Sequence, residues 1–105
     1  MNGPESAARL PSGTVTFLFT DVEGSTRLWA ADKDAMSSSL LVHDAILRGT
    51  IEGHGGYVFT TAGDSFAAAF GRASDAVGAA VAMQAGLVAA SWPGPALRGG
   101  CPIVC

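Results

Sequence analysis

The chain carries little positive charge. Only six of its 105 residues are Lys or Arg, against nine Asp or Glu, so the formal net charge is -3. Nucleic acid backbones and anionic membrane surfaces are bound by clustered cations, whereas these six are dispersed along the chain. The composition therefore gives no reason to expect a nucleic acid or a membrane as partner.

Cysteines and long apolar segments are also scarce. Cys101 and Cys105 are the only cysteines, and one closely spaced pair is neither a disulfide framework nor a zinc site. Residues 1–12 lack the apolar core of a secretory signal. The Ala-rich run from Ala76 to Ala90 is interrupted by glycine and glutamine, and it is shorter than the roughly 20 apolar residues of a membrane span. These absences predict a single cytoplasmic domain.

The first half of the chain predicts a strand followed by two helices. Val15, Phe17 and Phe19 alternate with their neighbours in a pattern that suits a largely buried strand. Residues 25–31 predict a short helix. A longer helix follows, ended by Gly55 and Gly56 as a C-cap, and its predicted apolar face consists of Met36, Leu40, His43, Leu47 and Ile51.

The second half predicts a β-hairpin and one more helix. Residues 57–61 and 65–70 form the two strands, joined by a tight turn at 62–64. Ser74 is the predicted N-cap of the last helix, which ends before Trp92. One side of this helix carries Val77, Ala80, Val81, Gln84, Leu87 and Val88. The order of elements predicts an α+β fold, with residues 1–12 as a disordered leader, 13–95 as the domain and 96–105 as an irregular tail.

Two acidic residues stand where strands end. Asp21 closes an apolar run and is followed by Gly24, Ser25 and Thr26, while Asp64 lies on the hairpin turn. An aspartate in such a place is often only an N-cap or an Asx-turn residue. Two carboxylates that meet, however, suit a hard cation such as Mg²⁺ or Mn²⁺, and small residues at a helix start leave backbone N–H groups available for phosphate.

The two histidines are assigned structural roles. His43 lies on the apolar face of the long helix, and we expect a partly buried histidine with satisfied hydrogen bonds. His54 precedes Gly55 and Gly56, where its ring suits a hydrogen bond to the last carbonyls of the helix.

Residues 19–26, with the sequence FTDVEGST, resemble the first metal-binding motif of class III adenylate/guanylate cyclases. Residues 55–66, with the sequence GGYVFTTAGDSF, resemble the second motif of that family, its Gly-Asp hairpin. The separation between Asp21 and Asp64 is also similar to that of the family. The resemblance covers roughly residues 13–92 and implies the ferredoxin-like fold of a nucleotide cyclase domain.

The resemblance also implies a chemistry. Asp21, Asp64 and the Val22 carbonyl would bind two divalent cations, Mg²⁺ or Mn²⁺. The phosphate-binding residues would be Glu23, Gly24, Ser25 and Thr26. The substrate would be ATP or GTP, converted to a cyclic nucleotide and pyrophosphate as the ribose 3′-hydroxyl attacks the α-phosphate. Members of the family build this site between two domains, which implies a homodimer, or a heterodimer with a complete cyclase domain.

The chain departs from the family pattern at two places. Members that select ATP usually carry a lysine four residues before the second aspartate, where this chain has Thr60. Residues 97–105 do not resemble the family's Arg-x-Gly-x-His-x-Gly strand, and the purine-reading and transition-state residues that follow it in the family have no counterpart here. We therefore expect an incomplete cyclase domain with negligible activity on its own.

The sequence leaves two alternatives open. Residues 19–26 also resemble the nucleophile loop of haloacid-dehalogenase-type phosphatases, whose fold has a parallel sheet. That chemistry needs a second acid, here Glu23, and a lysine late in the chain, whereas the only lysine is Lys33. The other alternative is a non-enzymatic cyclase fragment that binds metal or nucleotide, or that only dimerises.

Overall fold

In the computed structural model, residues 13, 15–97, 99–100 and 103–104 are described. The elements follow the order β1 (Thr16–Val22), α1 (Ser25–Ala31), α2 (Lys33–Gly53), β2 (Tyr57–Ala62), β3 (Ser65–Phe70), α3 (Ala73–Ala89), β4 (Gly99–Gly100) and β5 (Ile103–Val104). The expected leader (1–12) and both cysteines lie outside the described residues. Within the segment expected to be irregular, 96–105, the structure contains the two short strands β4 and β5.

The strands form one antiparallel sheet in the order β2-β3-β1-β4, with β5 also pairing with β1. Every described strand pair is antiparallel. The α+β, ferredoxin-like prediction is therefore confirmed, and the parallel sheet required by the phosphatase alternative is not found among the described strands. No helix in this part of the chain is long and apolar enough to cross a bilayer.

The core lies on one side of the sheet, beneath α2 and α3. Phe70 and Leu18 are completely buried there, together with Ile51 from α2 and Ala76 and Ala79 from α3. Burial of apolar side chains is the dominant favourable contribution to folding. The opposite side of the sheet has no helical layer among the described residues.

The prediction that β1 is largely buried was wrong in part, because only alternate residues of the strand are buried. Thr16, Leu18, Thr20 and Val22 face the helices, whereas the intervening positions, including Phe17 and Phe19, are exposed. Period-two alternation identifies a strand but does not tell which of two mixed faces meets the core. Here the face with two threonines is the inner one.

The α2 prediction is largely confirmed. Its buried residues are Met36, Ser39, His43, Leu47 and Ile51, with Ser39 in place of the predicted Leu40. Asp32 is its N-cap, accepting a 3.0 Å hydrogen bond from the Ala35 N–H. At the other end the C-cap residue is His54, and the two predicted glycines follow it and end the helix, with the Gly56 N–H donating to the Ile51 carbonyl at 2.9 Å.

The start of α3 was predicted incorrectly, and of the residues predicted on one side of this helix only Leu87 is buried. Arg72, not Ser74, is the N-cap, and no side chain caps this helix end. The buried face consists of Ala76, Ala79, Met83 and Leu87, while Val77, Val81 and Val88 are exposed. Apolar residues surround the whole helix, so the sequence periodicity does not mark one side as the core side.

Candidate functional site

Asp21 and Asp64 lie at the same end of the sheet. The ladder between β1 and β3 ends with Thr20 opposite Phe66. Asp21 is the next residue after Thr20, and Asp64 directly precedes Ser65, the first residue of β3. The register therefore brings the two carboxylate-bearing residues to adjacent strand ends, the end of β1 and the start of β3, although 43 positions separate them in the sequence.

A two-residue hairpin turn fixes where Asp64 stands. Ala62 pairs with Ser65, so only Gly63 and Asp64 connect β2 to β3. Gly63 has a φ of 60°, a left-handed backbone conformation that residues other than glycine adopt only at an energetic cost. Asp64 is half-buried at this turn. Asp21 is exposed on the side of β1 that faces away from the helices, which we call the open face of the sheet.

The chain turns from β1 into α1 at Glu23 and Gly24. Gly24 is the N-cap of α1 with a φ of 70°, and it has no side chain to occupy the first amides of the helix. A cleft of about 560 Å³ opens beside this turn, lined by Glu23, Gly24, Arg27, Leu28 and Ala96. Of the four predicted phosphate-binding residues, Glu23 and Gly24 line this cleft, and Ser25 and Thr26 directly follow them in the chain.

Arg27 is a residue of this cleft that the sequence analysis did not single out. Its Nη2 lies 3.0 Å from the position that a Cβ atom on Gly24 would occupy, so the guanidinium folds back over the turn. No carboxylate among the described residues forms an ion pair with Arg27. The sequence contains a feature that indicates Arg27 as a candidate site residue, because it is the only Lys or Arg within a few residues of the first motif.

Thr60 reaches the open face of the sheet because of a β-bulge. The register between β2 and β3 shifts between Val58 and Thr60, leaving Phe59 unpaired. Thr60 pairs with Ala67, which in turn pairs with Phe19 on β1. Residues opposite one another share a face of an antiparallel sheet, so Thr60 lies on the face that carries Phe19 and Asp21. Without the bulge, Thr60 would lie on the core face.

The open face also carries three exposed phenylalanines. The ring centroids of Phe17 and Phe59 are 5.9 Å apart in an edge-to-face arrangement, and those of Phe17 and Phe19 are 6.3 Å apart. Their exposed fractions are 37–44%. We call these three residues the aromatic patch; it lies on the same face as Asp21.

The two histidines lie on the helical side of the sheet. His54 is as predicted, its Nδ1 donating to the Thr50 carbonyl at 2.9 Å. The prediction for His43 was wrong in part, because this residue is completely buried and only half satisfied. Its Nδ1 donates to the Asp44 carboxylate at 2.9 Å, but its Nε2 has no partner among the described residues.

The described residues contain no group of three or more His, Cys, Asp or Glu side chains arranged to hold a metal ion. The candidate metal site is therefore a two-carboxylate site. Mg²⁺ fits such a site, since it is commonly held by one or two protein carboxylates together with substrate phosphates and water. Asp21 and Asp64 are two carboxylates, so they match the number and the chemical type of protein ligands that Mg²⁺ commonly has.

Comparison with known proteins identifies the family. Residues 8–92 match the model of the adenylate and guanylate cyclase catalytic domain, so the chain belongs to this family. It is 37% identical over 83 residues to an adenylate cyclase of Lachancea kluyveri, covering 79% of this chain and 4% of that protein. It is 41% identical over 83 residues to receptor-type adenylate cyclase B of Leishmania donovani, covering 79% of this chain and 6% of that protein.

Solved structures agree with this assignment. An adenylate cyclase from Trypanosoma brucei, described in its monomeric state, superposes with a TM-score of 0.84 at 26% identity, over 94% of this chain and 59% of that one. The guanylate cyclase domain of a Catenaria anguillulae protein, solved in complex with GTP, shares the fold with a TM-score of 0.75 at 17% identity, over 85% of this chain and 54% of that one. The chain thus spans a small part of its curated relatives and little more than half of these solved domains.

Proposed function

We propose that the chain provides the metal-binding half of a cyclase site that uses ATP or GTP. The observation that carries this proposal is the strand register, which brings Asp21 and Asp64 to one end of the sheet. These carboxylates and the Val22 carbonyl would hold two Mg²⁺ or Mn²⁺ ions. When bound, such cations stabilise the charge that develops on the attacking ribose oxygen and on the leaving pyrophosphate.

The turn from β1 into α1 is the proposed site for the triphosphate. The glycine N-cap leaves the backbone N–H groups of residues 24–26 without a competing side chain, and the adjacent cleft holds Arg27. A guanidinium pairs well with phosphate oxygens, often through two parallel hydrogen bonds. Arg27 thus supplies positive charge in a chain that is otherwise poor in it. Thr60, on the same face as Asp21, is the proposed position that contacts the purine.

The direct test of this function is metal-dependent nucleotide binding. A fluorescent ATP or GTP analogue is titrated with the 105-residue chain in the presence of Mn²⁺ and in the presence of a chelator. We expect binding only with the metal, because two carboxylates without cations repel a triphosphate. Equal binding with and without Mn²⁺ would contradict it.

We expect the 105-residue chain alone to produce almost no cyclic AMP or cyclic GMP. Its residues include no counterpart of the family's transition-state cation, and removal of one such stabilising group commonly costs about 10²–10³ in rate. The measurement is product formation with Mn²⁺ and saturating ATP or GTP. Turnover that disappears in Asp21→Asn and matches that of complete cyclase domains would show that the residues present suffice.

The aromatic patch supports a second proposed role, pairing with another cyclase domain. Full burial of one phenylalanine contributes about 1.5–3 kcal/mol, so Phe59→Ser should weaken self-association by roughly tenfold or more. Sedimentation equilibrium measures this, with Leu41→Ser as the matched control, since Leu41 is 75% exposed on the helical side. A chain that stays monomeric at all concentrations, or an equal effect of Leu41→Ser, would contradict the assignment of this face.

A further inference from the structure

The hydroxyl of Thr20 links the two chain segments that carry the candidate metal ligands. The Phe66 backbone N–H donates to Thr20 Oγ1 at 3.2 Å, across 46 positions of sequence. Thr20 is only 5% exposed, and the pair is the last one of the ladder between β1 and β3. Immediately beyond this bond lie Asp21 on one strand and Ser65 and Asp64 on the other.

Phe66 is also fixed from the helical side. Its ring packs edge-to-face against that of His43, with centroids 6.2 Å apart, and the guanidinium carbon of Arg48 lies 5.8 Å from the ring centroid. Only 3% of Phe66 is exposed. The residue two positions after Asp64 is therefore held by α2 through its side chain and by β1 through its backbone amide.

We propose that Thr20 is a positioning residue, whose hydroxyl sets the separation of Asp21 and Asp64 and so tunes the affinity for a divalent cation. This inference rests on the proposed metal-binding function. The physical reason is that a carboxylate pair binds a cation well only when both groups are held at the required distance before the ion arrives. Thr20 itself faces the core and does not contact the ion.

The test compares two substitutions in the 105-residue chain. Thr20→Val removes the hydroxyl and keeps the shape, whereas Thr20→Ser keeps the hydroxyl. Supporting groups that orient metal ligands typically change affinity by about 10–100-fold. We expect Thr20→Val to weaken Mn²⁺ binding by about tenfold and Thr20→Ser to bind within about twofold of wild type. The readout is free Mn²⁺ measured by electron paramagnetic resonance.

Thr16→Val serves as the control, because Thr16 is buried on the same face of β1 at the far end of the strand. A purely structural role for Thr20 predicts lower melting temperatures for both valine variants with unchanged Mn²⁺ affinity, and that result would overturn the proposal. A wild-type chain that binds no Mn²⁺ would remove the metal-binding function together with it. Normal wild-type binding with unchanged Thr20→Val binding would remove only the role of Thr20.

A measurement on the wild-type chain covers the case in which Thr20→Val does not fold. If the Thr20–Phe66 bond and the metal site are coupled, Mg²⁺ must slow hydrogen exchange of the Phe66 amide by the linkage that joins any two coupled equilibria. Amides at the other end of β3 provide the internal comparison. An exchange rate at Phe66 that is unaffected by saturating Mg²⁺ would overturn the proposal.

Discussion

Replacing either Asp21 or Asp64 by Asn will weaken Mn²⁺ binding by at least about 100-fold, more than the loss of a supporting group. Each substitution removes one of the two carboxylates proposed to bind the ion and replaces it with a neutral amide of the same size. Hard cations bind anionic oxygen far better than amide oxygen. Mn²⁺ titration of the wild type and both variants measures the effect.

The matched control is Asp34→Asn, which makes the same chemical change at an exposed residue in the first turn of α2. It should leave Mn²⁺ affinity unchanged. Wild-type affinity in both site variants would reduce Asp21 and Asp64 to ordinary turn residues. Loss of binding in only one variant would show that a single strand end holds the ion, against the convergence that the register indicates.

Gly56→Ala will destabilise the fold by about 1–3 kcal/mol through overpacking. A Cβ atom on Gly56 would lie 2.6 Å from the ring of Phe70 and 2.7 Å from a methyl group of Ile51. Both neighbours are completely buried, and close-packed cores accommodate an added methyl group only with strain. Urea unfolding of the variant and the wild type measures the difference in the free energy of unfolding.

The control for this substitution is Gly49→Ala. Gly49 lies inside α2, and an added Cβ there would meet nothing within 4 Å. Alanine is favoured over glycine inside a helix by roughly 0.5–1 kcal/mol, so this variant should be slightly more stable than wild type. If both variants changed stability in the same direction, the close approach of Gly56 to Phe70 would not be the cause.

The elements with strong local signals were predictable from the sequence. The helix at 25–31 and the strand at 65–70 have the bounds that were predicted. Gly63 and Asp64 between two strand patterns specify a tight hairpin, and the two motifs indicated the family. In each case the deciding residues are close together in the sequence, so local backbone preferences are sufficient.

The features that were missed depend on packing between distant residues. The burial of Thr20 and the exposure of Phe17 and Phe19 follow from which face of β1 meets the helices, which the sequence of β1 alone does not specify. The bulge at Phe59 is fixed by pairing with β3, and no turn residue marks it. These features also matter for the site, since the bulge assigns Thr60 to the face of Asp21.

The N-terminus of α3 shows a different kind of limit. Ser74 has the chemistry of an N-cap, but the helix already begins at Ala73, only three residues after β3 ends at Phe70. The short connection places Arg72 at the N-cap in an extended conformation, with φ of -136° and ψ of 133°. Chain geometry here overrides side-chain preference, whose contribution is only about 1 kcal/mol.

Mapping a bound paramagnetic ion by nuclear magnetic resonance tests the central claim most directly. Substoichiometric Mn²⁺ is added to the isotope-labelled chain, and the broadening of each backbone amide signal is recorded. A single site between the end of β1 and the start of β3 predicts the strongest broadening in two separate segments, residues 20–26 and 62–66. The signals of both segments lose intensity together. Broadening centred on other acidic segments, such as residues 32–34, or spread evenly along the chain, would contradict the claim that Asp21 and Asp64 form one metal site.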